Sequence, residues 1–67
     1  MDELIFIVTE APEGGYIARA LGESIFTEAD SLEDLREEIR EAVTCHFEDD
    51  SPRIVRIHFV REEILSV

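Results

Sequence analysis

Pro12-Glu13-Gly14-Gly15-Tyr16 separates two strand-like segments, Leu4-Ile5-Phe6-Ile7-Val8 before it and Tyr16-Ile17-Ala18-Arg19-Ala20 at its far side. Gly14 and Gly15 can take the positive φ angles that close a tight hairpin, and Pro12 has no N–H to give to a ladder. The stretch therefore predicts a β-hairpin at the start of the chain. Working outward, Ser24-Ile25-Phe26-Thr27-Glu28 is a third strand-like run. Ala29-Asp30-Ser31-Leu32-Glu33-Asp34-Leu35 then reads as a helix start, with Ser31 as N-cap and Asp34 where a capping-box carboxylate stands. Glu33 and Asp34 also suit the positive end of the helix macrodipole.

Leu32, Leu35, Ile39, Ala42, Val43, His46 and Phe47 recur at helical spacing and make one apolar arc. Glu33, Asp34, Glu37, Glu38, Glu41 and Glu48 take the other side, so one face of the helix is core and the other is acidic. Glu33 with Arg36 and Glu37 with Arg40 are spaced to pair across a turn. Glu48-Asp49-Asp50-Ser51-Pro52 ends the helix, because proline disfavours helical geometry in the residue before it. A last strand over residues 53–60 follows.

The expected fold is α+β: a β-β-β-α-β two-layer sandwich occupying residues 1–67 as a single domain, with one helix on one face. The helix is long enough for a right-handed crossover, which parallel pairing of strands four and one requires, and this gives the sheet order 3-2-1-4. Strand one is apolar on both sides, with Leu4, Phe6 and Val8 facing one way and Ile5 and Ile7 the other. Strand four repeats this with Val55, Ile57 and Phe59 opposite Ile54 and Val60. Strands read so when both faces are covered, yet one helix covers one face. Self-association through Ile5, Ile7, Ile54 and Val60 into a dimer or higher homo-oligomer is the expectation, weighed against shielding of the second face by the tail Glu62-Glu63-Ile64-Leu65-Ser66-Val67.

The ordered combination of Gly14-Gly15-Tyr16 in a hairpin, Ala18 in the second strand, Asp30, Ser31 and Glu33 at the helix start, and Glu41-Ala42-Val43 within it resembles the HicB-like antitoxin domain over nearly the whole chain. In this chain Leu21-Gly22-Glu23 replaces the longer Leu-Pro-Gly-Cys-like link of that family, and Glu37 and Glu38 stand where a mid-helix Asn is often found. The resemblance implies a non-enzymatic protein that binds and neutralises a small basic HicA-like toxin, an RNA-cleaving protein of double-stranded-RNA-binding-like fold. Many relatives carry a C-terminal DNA-binding segment that does not follow the last strand here, so operator binding is not implied. An orphan homodimeric regulatory domain without a toxin partner is the alternative.

Seventeen acidic residues face six arginines and no lysine among 67 residues, a formal charge of −11. Polyphosphate backbones select clustered cations, so direct nucleic-acid binding is not expected. A basic protein partner suits this field, since complementary charge speeds encounter, although acidity also serves solubility. Glu33, Glu37, Glu38 and Glu41 are the candidate partner-binding residues. No run approaches the ~20 apolar residues of a membrane span and no basic-then-apolar leader opens the chain, so a cytoplasmic protein without membrane contact is expected. Its single Cys45 cannot form an internal disulfide.

Catalytic and metal chemistry find weak support. Cys45 and His46 are helical neighbours and point about 100° apart, so they do not face each other as a dyad. His46 falls in the apolar arc, and His58 lies beside Arg56 in the last strand. A zinc site asks for about four suitable ligands, and one Cys with two distant His does not supply them. A metal-dependent nuclease, suggested by a similar strand order in the ribonuclease H fold, needs converging carboxylates. Asp2, Glu10 and Glu28 at strand ends are the only candidates, and solvated charge is the better reading. No catalytic residue, metal or cofactor is assigned.

Overall fold

The computed structural model describes residues 2–48 and 51–67. Strands β1 (Asp2–Glu10), β2 (Tyr16–Ala20) and β3 (Phe26–Ala29) precede helix α1 (Leu32–Phe47), and β4 (Arg53–Phe59) closes the order. The four strands form one sheet in the order β3-β2-β1-β4. β1 is antiparallel to β2, β2 to β3, and β1 runs parallel to β4. The α+β fold, the sheet order and the single helix are those expected from the sequence.

The hairpin turn forms where the glycines allow it. Gly14 has φ +102° and Gly15 φ +82°, a region open to glycine because it has no Cβ. Two backbone bonds close the turn: the Ala11 N–H donates to the Gly15 carbonyl at 3.0 Å, and the Gly14 N–H to the Ala11 carbonyl at 3.1 Å. β3 covers Phe26–Ala29 rather than residues 24–28. Ile25 precedes it as a buried residue, and its carbonyl accepts from the Ala20 N–H across the turn. That bond belongs to the connection, so the ladder begins one residue later.

Ser31 caps α1 as read: its backbone is extended (φ −132°, ψ 160°) and its Oγ accepts from the Asp34 N–H at 3.1 Å. Replacing Ser31 by alanine leaves that donor to water and should lower stability by about 1 kcal/mol. A urea titration would show a shifted midpoint with an unchanged slope, and an unshifted midpoint would mean the cap contributes nothing. The helix stops at Phe47 because Glu48 turns left-handed (φ 55°) and donates its N–H to the Thr44 carbonyl at 3.3 Å. A cap of this kind is usually glycine. Termination thus begins four residues before Pro52, and Asp49 and Asp50 of the expected stop lie outside the described residues.

The core lies between α1 and the inner face of the sheet. Leu4, Phe6, Val8, Ala18, Ala20, Ile25, Leu35, Ile39 and Val43 are buried. Ala18 and Ala20 are the small residues of β2, and they let α1 approach so that Leu35 and Ile39 close over them. Helix contacts go to β2 and β3. Consequently the inner side of β4 is covered less: Val55 and Ile57 are half-buried, and Phe59 is 56% exposed. At the other end of β4 the Arg53 guanidinium lies 3.9 Å from the centre of the Phe47 ring, a cation–π contact that ties the strand's start to the helix's end.

His46 is a correction to the sequence reading. It is exposed rather than part of the core, with its Nε2 3.2 Å from Glu23 Oε2 and its ring edge-on to Phe47. The buried stripe is narrower than the apolar arc of the sequence, since Leu32, Ala42 and Phe47 pack at the margin of the core and only Leu35, Ile39 and Val43 are fully inside.

Candidate protein-binding surfaces

α1 turns Leu35, Ile39 and Val43 inward, so its periodicity places Glu33, Glu37, Glu38 and Glu41 outward, and all four are exposed. Glu37 pairs with Arg40 on the same face. The expected Glu33–Arg36 pair is not among the ion pairs of the described residues. An exposed pair such as Glu37–Arg40 contributes little to stability, so this carboxylate stripe is dispensable for the core. What it can do is present a negative field to a basic surface.

The second surface is the outer face of the sheet. Register fixes its composition: Glu3 sits beside Ile54, Ile5 beside Arg56, and Ile7 between His58 and Arg19. Arg19 in turn neighbours Phe26, and Ile17 neighbours Glu28. Ile5, Ile7 and Ile17 are half-buried by their neighbours. Phe26 and Ile54 are 56% and 47% exposed. Arg56 donates to Glu3 across the strands. Of the self-association residues expected from the sequence, Ile5, Ile7 and Ile54 meet on this face. Val60 lies one residue past β4, 49% exposed, with its N–H donating to the Val8 carbonyl at 2.8 Å. Ile17, Phe26, Arg19 and Arg56 join them here. The alternation within β2 and β3 was the signal for that, once their register to β1 is known.

Residues 60–67 carry no helix or strand and are exposed throughout. Ile64 and Leu65 are 85% and 78% exposed, so the tail does not shield the outer face of its own sheet.

The chain is 42% identical to a UPF0150 protein of Thermotoga maritima over 97% of its own length and 93% of the relative's. The chain belongs to the UPF0150 family. A second UPF0150 protein, from Archaeoglobus fulgidus, is 57% identical over 73% of each chain. No family model matches this UPF0150 chain, and no solved structure matches it.

Candidate chemical groups on this UPF0150 chain are dispersed. Cys45 is exposed on the solvent side of α1. His46 is engaged with Glu23, and His58 is on the outer sheet face beside Ile7. Among the described residues no three His, Cys, Asp or Glu side chains gather where they could hold a metal ion. An open depression of about 570 Å³ runs beside the hairpin, between Pro12, Gly14 and Tyr16 on one side and Glu28 and Asp30 on the other. Its lining offers carboxylates and backbone, and no cation. Among the described residues no helix is long and apolar enough to cross a membrane.

Proposed function

We propose that this protein is a non-enzymatic, cytoplasmic binding module of the HicB-like antitoxin kind, which occludes a small basic RNA-cleaving toxin of the HicA-like class by protein–protein contact. One observation carries the reading: Glu33, Glu37, Glu38 and Glu41 stand exposed along a single helix whose opposite side is the core. A net charge of −11 extends the same field over the molecule, and long-range attraction of this sign raises the encounter rate with a cationic partner. The hairpin, third strand and capped helix of the HicB-like pattern also occur in the expected order. The orphan-dimer alternative draws on a separate observation, the apolar outer face of the sheet with Phe26 and Ile54 exposed.

Charge reversal tests the reading. Glu37→Arg with Glu41→Arg alters only solvated positions, so folding should change little. The association rate with the product of a neighbouring short basic gene should fall roughly tenfold at low salt, and its salt dependence should flatten, because peripheral charges act mainly on encounter. Co-expression of that gene with the wild type should rescue growth, and rescue should weaken with the reversed variant. Failure of the wild type to bind or rescue favours the orphan dimer. Full rescue by the reversed variant moves the contact off the helix.

A further inference from the structure

We propose that residues 61–67 of one copy cross the outer sheet face of a second copy, with Ile64 and Leu65 seated among Ile7, Ile17 and Phe26 and the exchange made reciprocally. The proposal is independent of the antitoxin reading. It begins with the shape of the molecule, 51 Å along one axis and 20 and 18 Å across it. The nine residues of β1 span about 30 Å at ordinary strand rise, which leaves roughly 20 Å, the length of seven extended residues. Since β4 is parallel to β1, the tail continues past the hairpin end of the sheet: Val60, Arg61 and Glu62 border the turn at Pro12. Beyond it Ile64 and Leu65 are the most exposed large apolar side chains before the terminal residue.

An extended segment carrying two nearly bare aliphatic side chains gains by burying them. Its own sheet face lies behind it, whereas the same face of a second copy is open. Reach is sufficient, because four strands place β3 and β4 about 14 Å apart, less than the tail's length. Charge agrees as well. The protein is acidic overall, and its outer face carries Arg19, Arg56 and His58 around the apolar positions together with Glu3, which holds Arg56, and Glu28 beside Ile17. Arg19 has no ion-pair partner among the described residues, and Glu62-Glu63 immediately precede Ile64 in the tail. Those carboxylates meet Arg19 when the aliphatic pair is seated. A reciprocal arrangement is self-complementary and closes at two copies.

The test uses the full chain at micromolar concentration in sedimentation equilibrium, with circular dichroism as a check on folding. The wild type should be a dimer. Ile64→Asp with Leu65→Asp should weaken association roughly a hundredfold or more without altering the fold, since two aliphatic side chains lose their burial. Ile17→Asp with Phe26→Asp should do the same from the other side. Should that pair unfold the chain, Ile17→Ser with Phe26→Ser replaces it. Mixing the tail variant with the face variant is decisive, because an intact tail then meets an intact face once per pair, and a one-to-one complex should form that neither variant forms alone. A monomeric wild type, a dimer indifferent to the tail substitutions, or a mixture that stays monomeric would each overturn the exchange. None of these results touches the rescue experiment. A face variant that still dimerises would place the tail elsewhere, on the free edge of β4, and would equally refute it.

Discussion

Replacing Phe6 by alanine should remove most of the stability of the fold at room temperature. Phe6 is fully buried at the middle of β1, beside Ala20 on one neighbouring strand and Ile57 on the other. Removing a buried phenyl ring costs about 3–5 kcal/mol, from lost transfer energy and from the cavity left behind. A chain of 67 residues has about 3–10 kcal/mol of stability in total, so one side chain approaches the whole margin. Ala20 cannot fill the space, and Ile57 is held in its ladder. Ile7→Ala is the control, because Ile7 is adjacent on the same strand but half-buried on the outer face. It should cost about 1 kcal/mol for its smaller loss of buried area. Both are compared with the wild type by urea unfolding at one protein concentration. Equal midpoints for the two variants would mean that the core is not where the helix meets the sheet.

The two hairpin glycines should respond to alanine very differently. Gly14 and Gly15 both have positive φ, and that backbone alone costs an L-residue about 1–2 kcal/mol. At Gly14 a Cβ would find open space within 4 Å, so Gly14→Ala should cost only the backbone term. At Gly15 the Cβ would come within 2.8 Å of the Ala29 carbonyl oxygen. That oxygen is backbone at the end of β3, opposite Tyr16 in the ladder, and cannot swing aside. Gly15→Ala should therefore cost about 3 kcal/mol or more, with strain and displacement acting together. Amide hydrogen exchange separates the two: faster exchange in Phe26–Ala29 is expected for Gly15→Ala and not for Gly14→Ala. Similar behaviour of the two variants would show that the turn tolerates movement of β3.

Which parts of this architecture were legible in the sequence follows from where the physical signal is local. Gly14-Gly15 names a turn because few other residues reach that backbone, and Ser31 with Glu33 and Asp34 names a helix start for equally short-range reasons. The sheet order expected from the sequence put β1 between β2 and β4, and its pairing with both bears that out; the cover that its lack of polar alternation calls for on the outer face belongs to the proposal. His46 was misplaced because helical periodicity assigns a direction without knowing how far the sheet extends beneath. α1 lies over β2 and β3, so the helix's end overhangs and His46 turns to Glu23. Glu48 as a left-handed cap had no residue-type signal at all. The acidic helix face was readable residue by residue, whereas the outer-face partners Ile17, Phe26, Arg19 and Arg56 required strand register, which is a tertiary quantity. The departure of the tail from its own sheet was not readable, since Ile64 and Leu65 have the same hydrophobicity whether they fold back or extend.

The parallel pairing of β1 with β4 joins residue 2 to residue 53 and residue 8 to residue 59. During synthesis, the hairpin and the helix can form from neighbours in sequence while the β4 edge of β1 stays unoccupied until residues 53–59 have left the ribosome. Closing so long a loop carries its entropy before the contacts return it, and topologies dominated by such closures fold slowly for their size. For that interval a strand apolar on both faces presents unpaired backbone groups, the setting in which nascent chains aggregate. The arrival of the seven residues of β4 after the hairpin and helix thus makes the order of synthesis, and any delay in it, a determinant of how much native protein accumulates.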